Sequence, residues 1–377
     1  MINTVSILSK IILFPFRGLR GANMSLKLSP TCIKVSSVFI FLLFFQSVFA
    51  QYDFSEVDKK FEQYKKELGN NVVALVYKDG KLVYDKHWGD MDKKTIAPIA
   101  SCSKWLTAAV VMTLVDEGRI SLDDKVAKYI PDFAKYSKGY ITIRHCLSHQ
   151  TGIEQEQASV MNILSRKKFN TLEEEVNDFM SRKDIAFNAG TGFWYGNAGL
   201  NIAGRICEIV TKKNFQQLML ERLFRPLGMR GTTFQNDNFN LAPNPSGGAK
   251  SRADEYMNFL TMILNKGMFN GKRILSEASI NEMQKEQITL DMVKYTPAAG
   301  KGYTYGLGEW IMEKDAAGNS TVVASPGLFG TWPFIDKCRG YACIIFVKTL
   351  LGGEQKRNIY LDIKASIDAV IPSNCKN

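Results

Sequence analysis

Two short apolar runs, Val72-Val73-Ala74-Leu75-Val76-Tyr77 and Lys81-Leu82-Val83-Tyr84, flank Lys78-Asp79-Gly80. Strand-like runs around an Asp-Gly turn predict a β-hairpin. Before it, residues 54–68 carry the charge spacing of a helix. Over 101–117 the apolar positions Leu106, Ala109, Val110, Thr113 and Leu114 recur at helical spacing, and Gly118 ends the run. Strand signals are few over 122–234, where 201–210 and 214–223 are the clearest helices; 253–265 is another. Strand patterns return at 305–312 and 321–324, then at Trp332–Asp336 and Tyr341–Val347 around Lys337-Cys338-Arg339-Gly340, before a closing helix over 358–370. Strands at both ends of a helical middle predict an α/β (α+β) fold. One antiparallel sheet is built from both chain ends and flanked by helices, with a mainly helical inserted subdomain. There is no internal repeat and no linker between independent domains.

Residues 1–50 stand apart. Lys27 and Lys34 precede an apolar stretch over 35–45, and Ser47-Val48-Phe49-Ala50 follows. A basic region, a short apolar region and small residues before Gln51 predict a signal peptide cleaved near Ala50, and hence a secreted or periplasmic protein. Eleven residues are too few to cross a bilayer comfortably, so no stable membrane insertion is expected after cleavage. An uncleaved anchor is the other reading, and Met24 is an alternative start. This segment also removes nearly half of the charge excess. The whole chain carries 48 basic and 37 acidic residues, but five of the basic ones (Lys10, Arg17, Arg20, Lys27, Lys34) precede residue 51. The remaining excess is ordinary and scattered, with no nucleic-acid footprint.

Cys32 falls in the leader, leaving six cysteines. Cys102, Cys146 and Cys207 lie in apolar helical contexts and read as buried free thiols. Cys338 and Cys375 are the pair expected to bridge, although spacing alone does not decide connectivity. No Cys-x-x-Cys occurs, and His145 and His149, four apart, lack the glutamate of a zinc-protease motif. No metal site is expected.

Three stretches carry chemistry. Ser101-Cys102-Ser103-Lys104 opens a helix, and positions i and i+3 share a face, so Lys104 comes within reach of the Ser101 hydroxyl. A serine needs a nearby base, and a lysine desolvated among apolar side chains can supply one. The helix N-terminus favours developing negative charge. Alone, the pair is a weak signal, because Ser-x-x-Lys often arises by chance as a capping serine and a solvated lysine. Gly190-Thr191-Gly192-Phe193-Trp194-Tyr195-Gly196-Asn197 adds a phenol and an amide two residues apart in a Gly-rich loop. Tyr195 beside a cationic Lys104 can accept a proton. Asn197 can bind a substrate carbonyl or hold Lys104. Ser325-Pro326-Gly327-Leu328 runs into a strand; glycine there permits close approach of a substrate backbone, and the Leu328 N–H can join that of Ser101 as an oxyanion donor.

Ser-x-x-Lys, Tyr-x-Asn and a Gly-containing third motif, in this order, resemble the serine β-lactamase and penicillin-binding-protein superfamily. The Tyr-x-Asn form resembles the class C branch, which includes DD-peptidases and carboxylesterase relatives. Supporting stretches are Gly118-Arg119-Ile120-Ser121-Leu122-Asp123-Asp124, the run from Ile141 to Gly152, and Pro226-Leu227-Gly228-Met229. The resemblance spans nearly all of 52–370. It implies a β-lactamase/transpeptidase-like catalytic domain over 51–377, with an α/β lobe at about 51–100 and 245–377 and a helical lobe at about 101–244. It implies acylation of Ser101, proton transfer by Lys104 and Tyr195, and substrate binding by Asn197, Ser325, Gly327 and Leu328. It places His145 and His149 in a structural turn and implies no metal or organic cofactor.

One departure matters. The third motif is usually Lys-Thr-Gly or His-x-Gly, and here it is Ser325-Pro326-Gly327. The cation that meets a penicillin or D-Ala carboxylate is missing, unless Lys301 or Arg339 replaces it. The expectation is an exported serine hydrolase acting on a small-molecule ester or amide. A β-lactamase or D-Ala-D-Ala peptidase is the alternative, and a catalytically silent penicillin-binding-like sensor is the alternative from another class. No nucleic-acid partner is expected.

Overall fold

The computed structural model describes residues 52–155, 167–349 and 356–375. The stretch read as a leader, with its expected cleavage site and Cys32, lies outside them. Helix α1 (Ser55–Tyr64) precedes the hairpin of β1 (Val72–Lys78) and β2 (Lys81–Trp88). Helices α2 (Ser103–Asp116), α3 (Ala198–Thr211) and α4 (Ala253–Leu264) form the middle of the chain. Strands β3 (Thr304–Tyr305), β4 (Trp310–Lys314), β5 (Ser320–Ala324), β6 (Trp332–Asp336) and β7 (Tyr341–Val347) follow, and α5 (Arg357–Val370) closes the chain. The seven strands form one antiparallel sheet in the order β2-β1-β7-β6-β5-β4-β3. The join between chain ends is β1 on β7, from Val72 opposite Val347 to Lys78 opposite Tyr341.

Alternation explains why this join is central. Along β1 and β7, Val73, Leu75, Ala342, Ile344 and Phe346 face one core with α2 and α4. Val72, Ala74, Val76, Cys343, Ile345 and Val347 face the other, with Val57 and Phe61 of α1 and Tyr360, Ile363 and Ile367 of α5. Both faces are covered, so all seven residues of β7 are buried. The edge strand β2 instead exposes Lys81, Asp85 and Lys86, as an edge that must resist further pairing does.

Several elements differ from the sequence reading. Helix α2 was predicted to bury one face but is buried all round from Ser103 to Leu114, because sheet and helices enclose it. Ser101 lies just before it, in a 3-10 turn over Ala100–Cys102. Helix α3 begins at Ala198 rather than 201, so Asn197 is its N-cap residue. The strand predicted over 305–312 is two strands separated by a loop at 306–309. The bridge Cys338–Cys375 is present, while Cys102, Cys146, Cys207 and Cys343 are free and buried. Among the described residues no helix is long and apolar enough to cross a membrane.

Candidate active site

The Ser101 turn is forced into place. Ala100 has φ +45°, a left-handed conformation costly for a residue with a Cβ, immediately before the half-buried Ser101. The turn is gripped from behind, where the Tyr256 hydroxyl donates to the Cys102 carbonyl at 2.8 Å. From the sheet side, Gly327 lies so close that a Cβ there would collide with the Ile99 carbonyl oxygen and press on Cys102 Sγ. Glycine in the third motif thus lets the protein's own serine turn approach the end of β5.

Lys104 is 1% exposed, one turn along. Its Nζ lies 3.2 Å from Ser101 Oγ, 2.8 Å from the Ser246 carbonyl oxygen and 3.5 Å from Asn197 Oδ1. Two of these partners are carbonyl oxygens, which only accept, so each holds an N–H proton of the lysine. The serine hydroxyl can accept or donate. The direction from Nζ to Ser101 can therefore carry a proton or a lone pair, and both states of Lys104 keep their other contacts. The contact with Lys104 is one of the two roles expected of Asn197.

The acceptors are themselves held. Ser246 N–H donates to Asn201 Oδ1 at 2.9 Å, Asn201 Nδ2 donates to Glu175 Oε2 at 3.0 Å, and Thr107 Oγ1 donates to the Pro245 carbonyl at 2.7 Å. On the other side, Gln155 Oε1 accepts from the N–H of Asn197 at 2.5 Å and of Ala198 at 2.8 Å, satisfying donors at the start of α3. Tyr195 is buried, with its ring 4.8 Å from Lys104 Nζ and stacked on Trp310 at 5.2 Å between centroids. The phenol is thus anchored in an aromatic cluster with Phe193, Tyr305 and Trp310.

In the third motif, the Ser325 hydroxyl turns inward, 3.4 Å from the Ser101 carbonyl and 3.3 Å from the Gly308 carbonyl, and the residue is 3% exposed. The Gly327 N–H is spent on the Thr331 carbonyl at 2.8 Å. Neither the Ser101 nor the Leu328 N–H donates to a loop or turn carbonyl among the described residues. Arg339 does not replace the missing cation. It lies at the β6–β7 turn, with Nη1 3.1 Å from Asp336 Oδ2, while Ser325 is beside the opposite end of β6. Five residues of strand separate those ends by roughly 15 Å. Lys301 is exposed after a short 3-10 turn.

The structure thus brings together Ser101, Lys104, Tyr195 and Asn197, and it seats Ser325 and Gly327 against the serine turn. Sequence reasoning missed Ser246, Gln155, Asn201 and Glu175. Ser246 contributes a backbone carbonyl, which no side-chain motif signals. Gln155 and His149 sit in or beside the Ile141–Gly152 run noted above, so proximity to that run was the one available hint. Among the described residues no group of His, Cys, Asp and Glu is placed to hold a metal ion.

A family model described as Beta-lactamase matches residues 57–366. A solved structure from Bacteroides dorei DSM 17855, named a candidate beta-lactamase, is 27% identical with a TM-score of 0.74, covering 85% of this chain and 99% of that one. EstCE1, named a hydrolase with promiscuous acyltransferase activity, shares the fold at 19% identity and a TM-score of 0.68, covering 83% of this chain and 97% of its own. Protein flp of Staphylococcus aureus (strain MW2) is 31% identical over 176 residues, 44% of this chain. The match spans about a third of the length of that relative, 35%.

Proposed function

Since this chain belongs to the Beta-lactamase family of serine hydrolases, we propose that it is an exported enzyme that acylates Ser101 with an ester or amide and releases the acyl group to water. The observation that carries the reading is the buried Lys104 Nζ at 3.2 Å from Ser101 Oγ, with two carbonyl oxygens fixing its other protons.

Ser101 Oγ attacks the substrate carbonyl carbon while its proton passes to the Lys104–Tyr195 pair. The carbonyl oxygen becomes an oxyanion, for which the N–H groups of Ser101 and Leu328 are the donors in this reading. Collapse breaks the bond to the leaving alcohol or amine, which takes the proton and departs. A water molecule then gives its proton to the same pair, attacks the acyl-enzyme, and Ser101 leaves as the hydroxyl. Asn197 holds Lys104 through both halves.

Preference for substrates without a carboxylate rests on the third motif. Ser325 has no charge and its hydroxyl is turned into the protein, and Arg339 is held at the far end of β6. Export rests on the leader pattern alone.

The test is direct. A fluorophosphonate or fluorescent penicillin should label the mature chain, and Ser101→Ala should abolish labelling. Labelling retained at another residue would overturn the assignment. Short p-nitrophenyl esters should be hydrolysed faster than nitrocefin, and the reverse order would remove the argument from Ser325.

A further inference from the structure

His149 takes no part in the steps above, yet it touches the Tyr195 loop at three points. Its carbonyl accepts the Trp194 N–H at 3.0 Å, its Nδ1 accepts the Gly196 N–H at 3.4 Å, and its ring centroid lies 4.6 Å from that of Tyr195. Its Nε2 is 3.2 Å from the Tyr305 hydroxyl oxygen. Phe193 meets the ring edge-on at 5.7 Å. The residue is 2% exposed and has φ +58°, so the backbone bends to bring the ring here.

These contacts define the state of the ring. A backbone N–H can only donate, so Nδ1 must present a lone pair. Burial and the neighbouring Lys104 hold His149 well below the ordinary imidazole range, so the ring is neutral. Its one N–H proton is then on Nε2, directed at Tyr305. Tyr305 packs edge-on against Trp310 at 4.7 Å, and Trp310 stacks on Tyr195. The tautomer is thus set from one side by the loop and from the other by the cluster that anchors the same loop.

We propose that His149 is a positioning residue for acylation: as the neutral Nε2–H tautomer it holds the Tyr195-Gly196-Asn197 turn against Lys104, through the Gly196 N–H and the face of Tyr195. The inference rests on the serine-hydrolase reading for its kinetic consequence and on geometry alone for the contact. Without an acceptor at Nδ1, the buried Gly196 N–H loses its partner and the turn shifts. Small displacements of groups that move protons or hold a base reduce turnover more than substrate binding.

Two measurements test it. Nitrogen-15 NMR of the wild-type chain, which has three histidines, should show His149 as the Nε2–H tautomer; the Nδ1–H tautomer would overturn the proposal. Kinetics then compare three variants. His149→Asn keeps an acceptor near the Nδ1 position and suits a left-handed backbone. His149→Gln places its acceptor near Nε2, and His149→Phe keeps a ring with none. For His149→Phe and His149→Gln, kcat should fall on the order of 100-fold with KM little changed. His149→Asn should recover about tenfold of that loss. A Phe variant with kcat close to wild type would overturn the proposal. So would an Asn variant no faster than the Gln variant, the comparison that decides if the Phe variant does not fold. A wild-type chain that the Ser101-directed probe leaves unlabelled would sink the hydrolase reading instead, and the tautomer would then decide the loop contact.

Discussion

Lys104 and Glu309 are two of the charged side chains taken out of water in this molecule, and their surroundings are opposite. Lys104 is enclosed, but the Ser246 carbonyl, Asn197 Oδ1 and Ser101 Oγ surround its ammonium. Glu309, in the loop between β3 and β4, is 0% exposed and neither carboxylate oxygen has a hydrogen-bond partner among the described residues. Burial therefore drives the Glu309 carboxyl well above the usual range, with Lys337 opposing this only in part. An ionised group without partners gives up its charge in a low-dielectric interior. A buried group with well-placed carbonyls keeps a defined set of protons and can exchange one with a neighbour. The chemistry thus depends on the partners more than on the depth.

The largest effect should come from breaking the partnered group. Lys104→Met fills similar volume without a nitrogen, and acylation of Ser101 should slow on the order of 10³-fold. Stopped-flow labelling with a fluorophosphonate measures it, and a rate close to wild type would remove Lys104 from the proton transfer. Next is the partner itself. Asn197→Ala leaves Lys104 with the Ser246 carbonyl but loosens its aim, and kcat should fall roughly 10- to 100-fold. A change in KM alone would make Asn197 a substrate contact and not a holder of Lys104.

The smallest effect should come from Glu309→Gln, and it should appear in stability. The folded-state carboxyl titrates above its unfolded value of 4.5, so the folded chain binds more protons between the two. Stability is complete below the unfolded value and is lost as pH rises toward the folded one. Glu309→Gln removes that loss. Its melting temperature should match wild type near pH 4 and exceed it by a few degrees near pH 8, with kcat little changed. Equal melting temperatures at both pH values would mean that Glu309 is not a buried neutral acid.

Legibility in the sequence followed the range of the interaction. The β1–β2 hairpin, the paired strands β6 and β7 and the i, i+3 relation of Ser101 to Lys104 are local, so spacing was enough to read them. The Cys338–Cys375 pair was also anticipated, although spacing alone did not decide connectivity. The boundary errors at Ser101 and Asn197 were small but mattered. Ser101 falls in the turn before α2, and Asn197 becomes the N-cap residue of α3, with its N–H taken by Gln155 Oε1.

The order of residues by itself determined the two-ended sheet, the helical middle and the residue types from which the site is made, because hydrophobic period and turn chemistry act over a few positions. Only the tertiary structure decided which groups those residues meet. The Ser246 carbonyl lies 142 positions from Lys104, and the Ser325 hydroxyl 224 positions from the Ser101 carbonyl. Every residue has a carbonyl, so its use cannot be read from side-chain identity. It becomes visible when packing of the sheet against the helices brings distant backbone to the nucleophile and leaves the Glu309 carboxylate without a hydrogen-bond partner among the described residues.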